Sequence, residues 1–180
     1  MARRARHEPV AYILGEWGFR RLTLTVDRRA LIPRPETEVV VERALDRIRG
    51  IDEPRVLDVG TGTGAIALAI ADEHPGVRVT AIDVSPDALA LARENVARTG
   101  LAVDLLRHDL RGGLPGGPYD LVVSNPPYVE PVDLDTLMPD VRDYEPHVAL
   151  VGHGATEAIA RAAAGVLVPG GWLVLEVGAV

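Results

Sequence analysis

Short apolar runs recur along the chain with amphipathic stretches between them. Arg55-Val-Leu-Asp-Val59, Val77–Asp83, Val103–Leu106, Tyr119–Val123 and Gly171–Val177 each have the length and the β-branched content of a buried strand. From Pro35, Val41, Ala44, Leu45 and Ile48 fall at helical spacing, Glu36 and Glu38 occupy the first turn, and Gly50 ends the run. Helices are likewise predicted over Ala65–Ala71, from the Ser85-Pro86 cap to Thr99-Gly100, and near Thr156–Val166. Strands alternating with helices predict an α/β fold, a doubly wound and mainly parallel sheet. The first stretch differs. Leu22, Leu24 and Val26 alternate on one face, and Ala30-Leu-Ile32 is expected to pair back as a small N-terminal β-hairpin before Pro33 and Pro35 stop the ladder. Residues 1–34 therefore read as linker and hairpin, and residues 35–180 as the main domain. The proline-rich, poorly periodic segment Val129–His153 reads as an ordered functional loop.

Composition narrows the chemistry. With 180 residues, 47% hydrophobic and 25% charged, the chain is long enough for one core and far from the composition of disorder. It has no cysteine, which excludes disulfides, thiol nucleophiles and cysteine metal sites, and its five histidines lack ligand spacing, so no metal is expected. All 19 basic residues are arginine and the net charge is −7. An acidic chain without a basic stripe is poorly suited to gripping a phosphate backbone, so no direct need for nucleic acid is expected. Neither a membrane span nor a signal peptide is indicated, and a cytoplasmic location is expected.

Two loops carry candidate chemistry. Gly60-Thr-Gly-Thr-Gly64 follows a strand and opens a helix, an arrangement that brings backbone N–H groups and a helix dipole beside a small ligand. Asp83, at the end of the next strand, is placed to accept hydrogen bonds from ribose hydroxyls. Together they predict an adenosine site. The run Gly60-x-Gly62-x-x-Ala65 also satisfies the dinucleotide fingerprint, so a nicotinamide cofactor stays open at this point.

The second loop, Asn125-Pro-Pro-Tyr128, follows the fourth strand. If the winding reverses between the first and fourth strands, this loop faces the glycine turn across the ligand crevice. Two prolines remove two N–H donors and fix φ, leaving a rigid, acceptor-rich cradle suited to an NH₂ group, with Tyr128 against a planar amide or base. Hydrogen bonds to Asn125 Oδ1 and the Pro126 carbonyl would aim a delocalised, weakly nucleophilic nitrogen at an electrophilic methyl. Asn125, Pro126 and Tyr128 are the catalytic candidates.

Asp58-Val-Gly-Thr-Gly-Thr-Gly64 together with Asn125-Pro-Pro-Tyr128 resembles the class I, Rossmann-like, S-adenosylmethionine-dependent amino-methyltransferases. Pro9–Gly15, Trp17-Gly-Phe19, Leu31-Ile-Pro-Arg-Pro-Glu-Thr-Glu38 and Tyr144-Glu-Pro146 resemble the release factor glutamine N5-methyltransferase family. The resemblance implies S-adenosylmethionine as cofactor, enclosed by Gly60, Thr61, Gly62, Thr63 and Gly64, with Asp83 on its ribose, Leu110 beside its adenine and Asn125 at its methyl. It implies that Asn125, Pro126, Pro127 and Tyr128 hold the glutamine of the Gly-Gly-Gln motif of a peptide chain release factor, the expected partner. Adenine or guanine amines of nucleic acid are the alternative substrate, since Asn-Pro-Pro-Tyr also occurs in nucleic-acid methyltransferases. A cofactor-binding remnant with little turnover is the third reading. Against the family pattern the chain reads as a catalytic domain shortened at both ends, with Trp172–Val177 expected as an exposed sheet edge that invites self-association.

Overall fold

A computed structural model describes residues 2–178. Its main sheet has five parallel strands: β3 (Arg55–Val59), β4 (Arg78–Asp83), β5 (Val103–Arg107), β6 (Tyr119–Ser124) and β7 (Leu167–Leu175), in the order β5-β4-β3-β6-β7. An antiparallel hairpin of β1 (Glu16–Phe19) and β2 (Leu22–Thr25) precedes it. The longer helices are α2 (Pro35–Ile48), α3 (Ala65–Glu73), α4 (Pro86–Thr99) and α7 (Ala155–Ala163); α1 (Val10–Leu14), α5 (Pro139–Arg142) and α6 (His147–Leu150) are short. This is the doubly wound α/β architecture expected from the alternation of strands and helices. No helix among the described residues is long and apolar enough to cross a membrane.

The sheet is apolar on both faces because helices cover both. Val56, Leu121 and Val123 point into one core with Val41, Ala44 and Ile48 of α2 and Leu68 of α3. Their strand neighbours Leu57, Val59 and Val122 point into a second core against Ile159 and Ala163 of α7. Local chemistry sets the helix ends. Ser85 Oγ accepts from the Ala88 N–H at 3.2 Å, Pro86 occupies the first helical position, and Gly100 closes α4 in the left-handed conformation.

Three sequence expectations are corrected. The hairpin turns at Arg20-Arg21 within residues 16–25, pairing Phe19 with Leu22, and Ala30-Leu-Ile32 is not a strand. Arg20 adopts a positive φ of 50°, and its side chain is fixed by a paired contact with Glu73. The tight turn is thus stabilised by an ion pair that alternation alone does not reveal. Second, the fifth strand starts four residues earlier than Gly171 and ends at Leu175; Val168–Gly171 lies between the Tyr119–Leu167 and Leu121–Trp172 pairs as a register irregularity. Third, Val129–His153 contains the 3-10 turn Pro131–Thr136 as well as α5 and α6. It closes on itself through Val129 N–H to Leu150 O at 2.9 Å and Gly152 N–H to Val129 O at 3.0 Å.

Candidate active site

The strand order reverses between β3 and β6, and loops leaving their carboxyl ends diverge into a crevice there. The two strand ends are stitched together by buried Ser124, whose Oγ donates to Val59 O at 2.6 Å. A cavity of about 270 Å³ opens at this point. The glycine turn and Asp83 line one side and Asn125, Pro126 and Pro127 another. Ala30–Arg34 adds a further wall, which is the place of the segment expected in the hairpin. Tyr12 OH holds that wall by donating to Ala30 O at 2.7 Å.

The glycine turn is fixed mainly by backbone bonds. Gly60 and Thr61 N–H both donate to Ile82 O, at 2.9 and 3.0 Å, and Gly62 N–H donates to Asp83 Oδ2 at 2.9 Å. Gly60 has a φ of +73°, and a Cβ there would meet no atom within 4 Å, so the residue leaves open space beside the cavity. Gly64 has another role: a Cβ would lie 3.2 Å from Leu68 Cδ1, so its bareness lets the turn close on α3, and it does not line the cavity. Asp83 Oδ1 also accepts from Ser85 N–H at 2.9 Å. Each carboxylate oxygen retains a second lone pair for a ligand hydroxyl. Burial raises the Asp83 pKa, and the backbone donors oppose that rise.

Beneath the turn, Asp58 is fully buried; Oδ2 accepts from Thr61 Oγ1 at 2.6 Å, whereas Oδ1 has no partner among the described residues. Desolvation pushes its pKa up to about 7. Thr63, also buried, offers its carbonyl to Asn95 Nδ2 at 2.9 Å. Asn95 in α4 meanwhile exchanges hydrogen bonds with both backbone groups of Thr25, tying β2 to the glycine turn. Sequence reading missed Asn95. Its one signal was a polar residue at the apolar-face spacing of Ala88, Leu91 and Ala92.

The opposite wall depends on side chains brought from afar. Asn125 Nδ2 donates to Thr37 Oγ1 at 3.1 Å, and Thr37 Oγ1 donates to Glu176 Oε2 at 2.7 Å. Arg34 Nη2 donates to buried Glu145 Oε1 at 2.5 Å, joining the Ile-Pro-Arg-Pro and Tyr-Glu-Pro segments, while Glu145 Oε2 has no partner among the described residues. Leu110, His108 and Asp109 line the main cavity. Tyr128 does not; it lines an adjoining cavity of about 150 Å³ that shares Arg34, Asn125, Pro126 and Pro127 with the first. Burial, then the Glu176 charge, raises the Tyr128 pKa, so this phenol stays neutral and is no base near neutral pH. Gly178 packs on the tyrosine ring, and Gly152 approaches so closely that a Cβ would lie 2.5 Å from Pro127 O.

A parallel sheet with a glycine turn at its switch point and an Asn-Pro-Pro-Tyr turn across the cleft defines the class I methyltransferase fold. Residues 37–139 match the family described as Methyltransferase small domain, and the chain belongs to that family. It is 47% identical over 178 residues to the release factor glutamine methyltransferase of Deinococcus radiodurans, covering 97% of this chain and 63% of that protein. It is 44% identical over 182 residues to the protein of that name from Geobacter sulfurreducens, covering 99% and 63%. The chain thus spans somewhat under two thirds of the length of these relatives. Among solved structures, S-adenosylmethionine-bound CalS10, an amino pentose methyltransferase from Micromonospora echinaspora, is 30% identical with a TM-score of 0.52, covering 79% of this chain and 50% of that one.

Proposed function

We propose that this chain transfers a methyl group from S-adenosylmethionine to the side-chain amide nitrogen of the glutamine in the Gly-Gly-Gln motif of a peptide chain release factor. The observation that carries this reading is the shared cavity: Asn125 and Pro126 line it together with Gly60, Gly62 and Asp83. The names of the relatives support the substrate class. The residues present fit the cofactor, because Gly60 leaves open space where a side chain would intrude and Asp83 keeps free lone pairs at the cavity wall. When bound, S-adenosylmethionine supplies an electrophilic methyl group.

The chain's own residues supply position and polarity. Gly60–Thr63 and Asp83 hold the cofactor, with Leu110 beside its base. Asn125 Oδ1 and the Pro126 carbonyl accept the two amide hydrogens of glutamine, orienting its nitrogen and favouring the positive charge that develops on attack. Pro127 and Tyr128 complete the amide pocket in the adjoining cavity. No base is needed before attack; the nitrogen–methyl bond forms as the sulfur–methyl bond breaks, and the surplus proton on the methylated nitrogen is lost to water afterwards.

Incubation with tritiated S-adenosylmethionine and either a release factor or mixed nucleic acid tests the assignment. Label in the release factor, lost when its Gly-Gly-Gln glutamine is replaced, is the expected result. Label only in nucleic acid, or cofactor binding without transfer to either, overturns it.

A further inference from the structure

An asparagine can serve a substrate amide only if it presents its oxygen, yet its oxygen and nitrogen ends are nearly identical in shape. Nothing about Asn125 alone decides which end faces the cleft. The decision comes from two residues outside the Asn-Pro-Pro-Tyr turn. Glu176 follows β7, where its backbone N–H donates to Ser124 O at 3.0 Å, so this carboxylate is anchored to the residue before Asn125. A carboxylate accepts and has no hydrogen to give, so the Thr37 hydroxyl donates to it. The single hydroxyl hydrogen is then spent, and Thr37 Oγ1 meets Asn125 only as an acceptor. Asn125 must therefore turn its NH₂ end to Thr37, which commits Oδ1 to the other side. Thr37 is 4% exposed, so water has little access to replace this link.

Resting on the reading of the site as an amide methyltransferase, we propose that Thr37 and Glu176 are positioning residues whose one-way chain of hydrogen bonds fixes Asn125 with its oxygen toward the substrate amide. The chain works through polarity, and neither residue needs to touch substrate. It gives Thr37, within the Pro-Glu-Thr-Glu motif, a task beyond starting α2.

Thr37→Val keeps the shape and deletes the hydroxyl, whereas Thr37→Ser keeps the hydroxyl. With the release factor as substrate, Thr37→Val should lower kcat roughly tenfold, as expected for losing about one hydrogen bond, while KM and the Kd for S-adenosylhomocysteine stay within about twofold. Thr37→Ser should recover kcat to within about threefold of the parent. A readout independent of turnover is available because the chain contains two asparagines, Asn95 and Asn125, and no glutamine. Its ¹⁵N spectrum therefore has two side-chain NH₂ pairs, and Asn125→Asp identifies one of them. That pair should move in Thr37→Val and stay near its parental position in Thr37→Ser. An unmoved pair in Thr37→Val, parental kcat in that variant, or equal impairment of the serine and valine variants overturns the proposal. If the parent fails to methylate the release factor while the NH₂ pair responds as described, the substrate reading falls and the orienting chain stands.

Discussion

The two walls of the cleft are built at different distances along the chain. The glycine-turn wall is assembled from Asp58 to Ser85, with backbone N–H groups donating to Ile82 O and to Asp83. The Asn125 wall is assembled from residues 88 and 139 positions apart, through the Asn125–Thr37 and Thr37–Glu176 bonds. A ligand bound by the first wall needs a rigid concave backbone, which one strand-turn-helix unit supplies. The second wall is held by side chains, and its partners come from distant parts of the fold.

The sharpest division between the walls comes from Asn125→Ala. Transfer should fall about 10²- to 10³-fold, the range for removing one preorganised polar contact from an active site, with cofactor affinity largely retained. Radiometric turnover beside calorimetric titration of S-adenosylhomocysteine checks it; near-parental turnover breaks the two-wall picture. Next in size is the pH dependence of Asp58. Burial keeps this carboxyl protonated up to about 7 in the folded chain, against an ordinary value of 3.8. Between those values the folded state binds the extra proton. Its stabilising contribution is complete below about pH 4 and is lost as pH rises through about 7, at most roughly 4 kcal/mol in all. Urea unfolding at stepped pH should show this loss, and Asp58→Asn should flatten it.

Asp83→Ala is expected to raise the cofactor Kd about 10- to 100-fold, since it removes charge-assisted acceptors and leaves two backbone donors unpartnered. Titration of S-adenosylhomocysteine measures the change. Loss of amide transfer without loss of cofactor affinity would put Asp83 on the wrong wall. The smallest effect belongs to Asn95→Ala. Cutting the tie between β2 and Thr63 should cost roughly 1–3 kcal/mol and lower Tm by a few degrees, read by calorimetry.

This division also accounts for what the sequence disclosed. The strands, the capped helix α4 and the glycine turn were legible because short-range periodicity and capping encode them. The Asn-Pro-Pro-Tyr turn was legible as a segment facing the glycine turn across the crevice, and both line the same cavity. The Ala30–Ile32 segment was misread as a strand because an apolar triplet suits a cavity wall equally well. The Asn125–Thr37–Glu176 and Arg34–Glu145 links were invisible, since no local period relates an early helix turn to a loop more than 80 residues later. Tyr128 was expected in one pocket with Asn125, Pro126 and Pro127, and its place in an adjoining cavity that shares those three residues was not legible.

The anchoring of Glu176 beside Ser124 has a temporal consequence. A ribosome delivers the chain from its N-terminus, so the glycine-turn wall of the crevice is synthesised long before Glu176. Nascent intermediates that have emerged only as far as the Asn-Pro-Pro-Tyr turn contain the glycine turn and Asn125 but lack Glu176. The Thr37–Glu176 link can therefore close only after β7 has emerged, separately from the earlier appearance of the glycine turn.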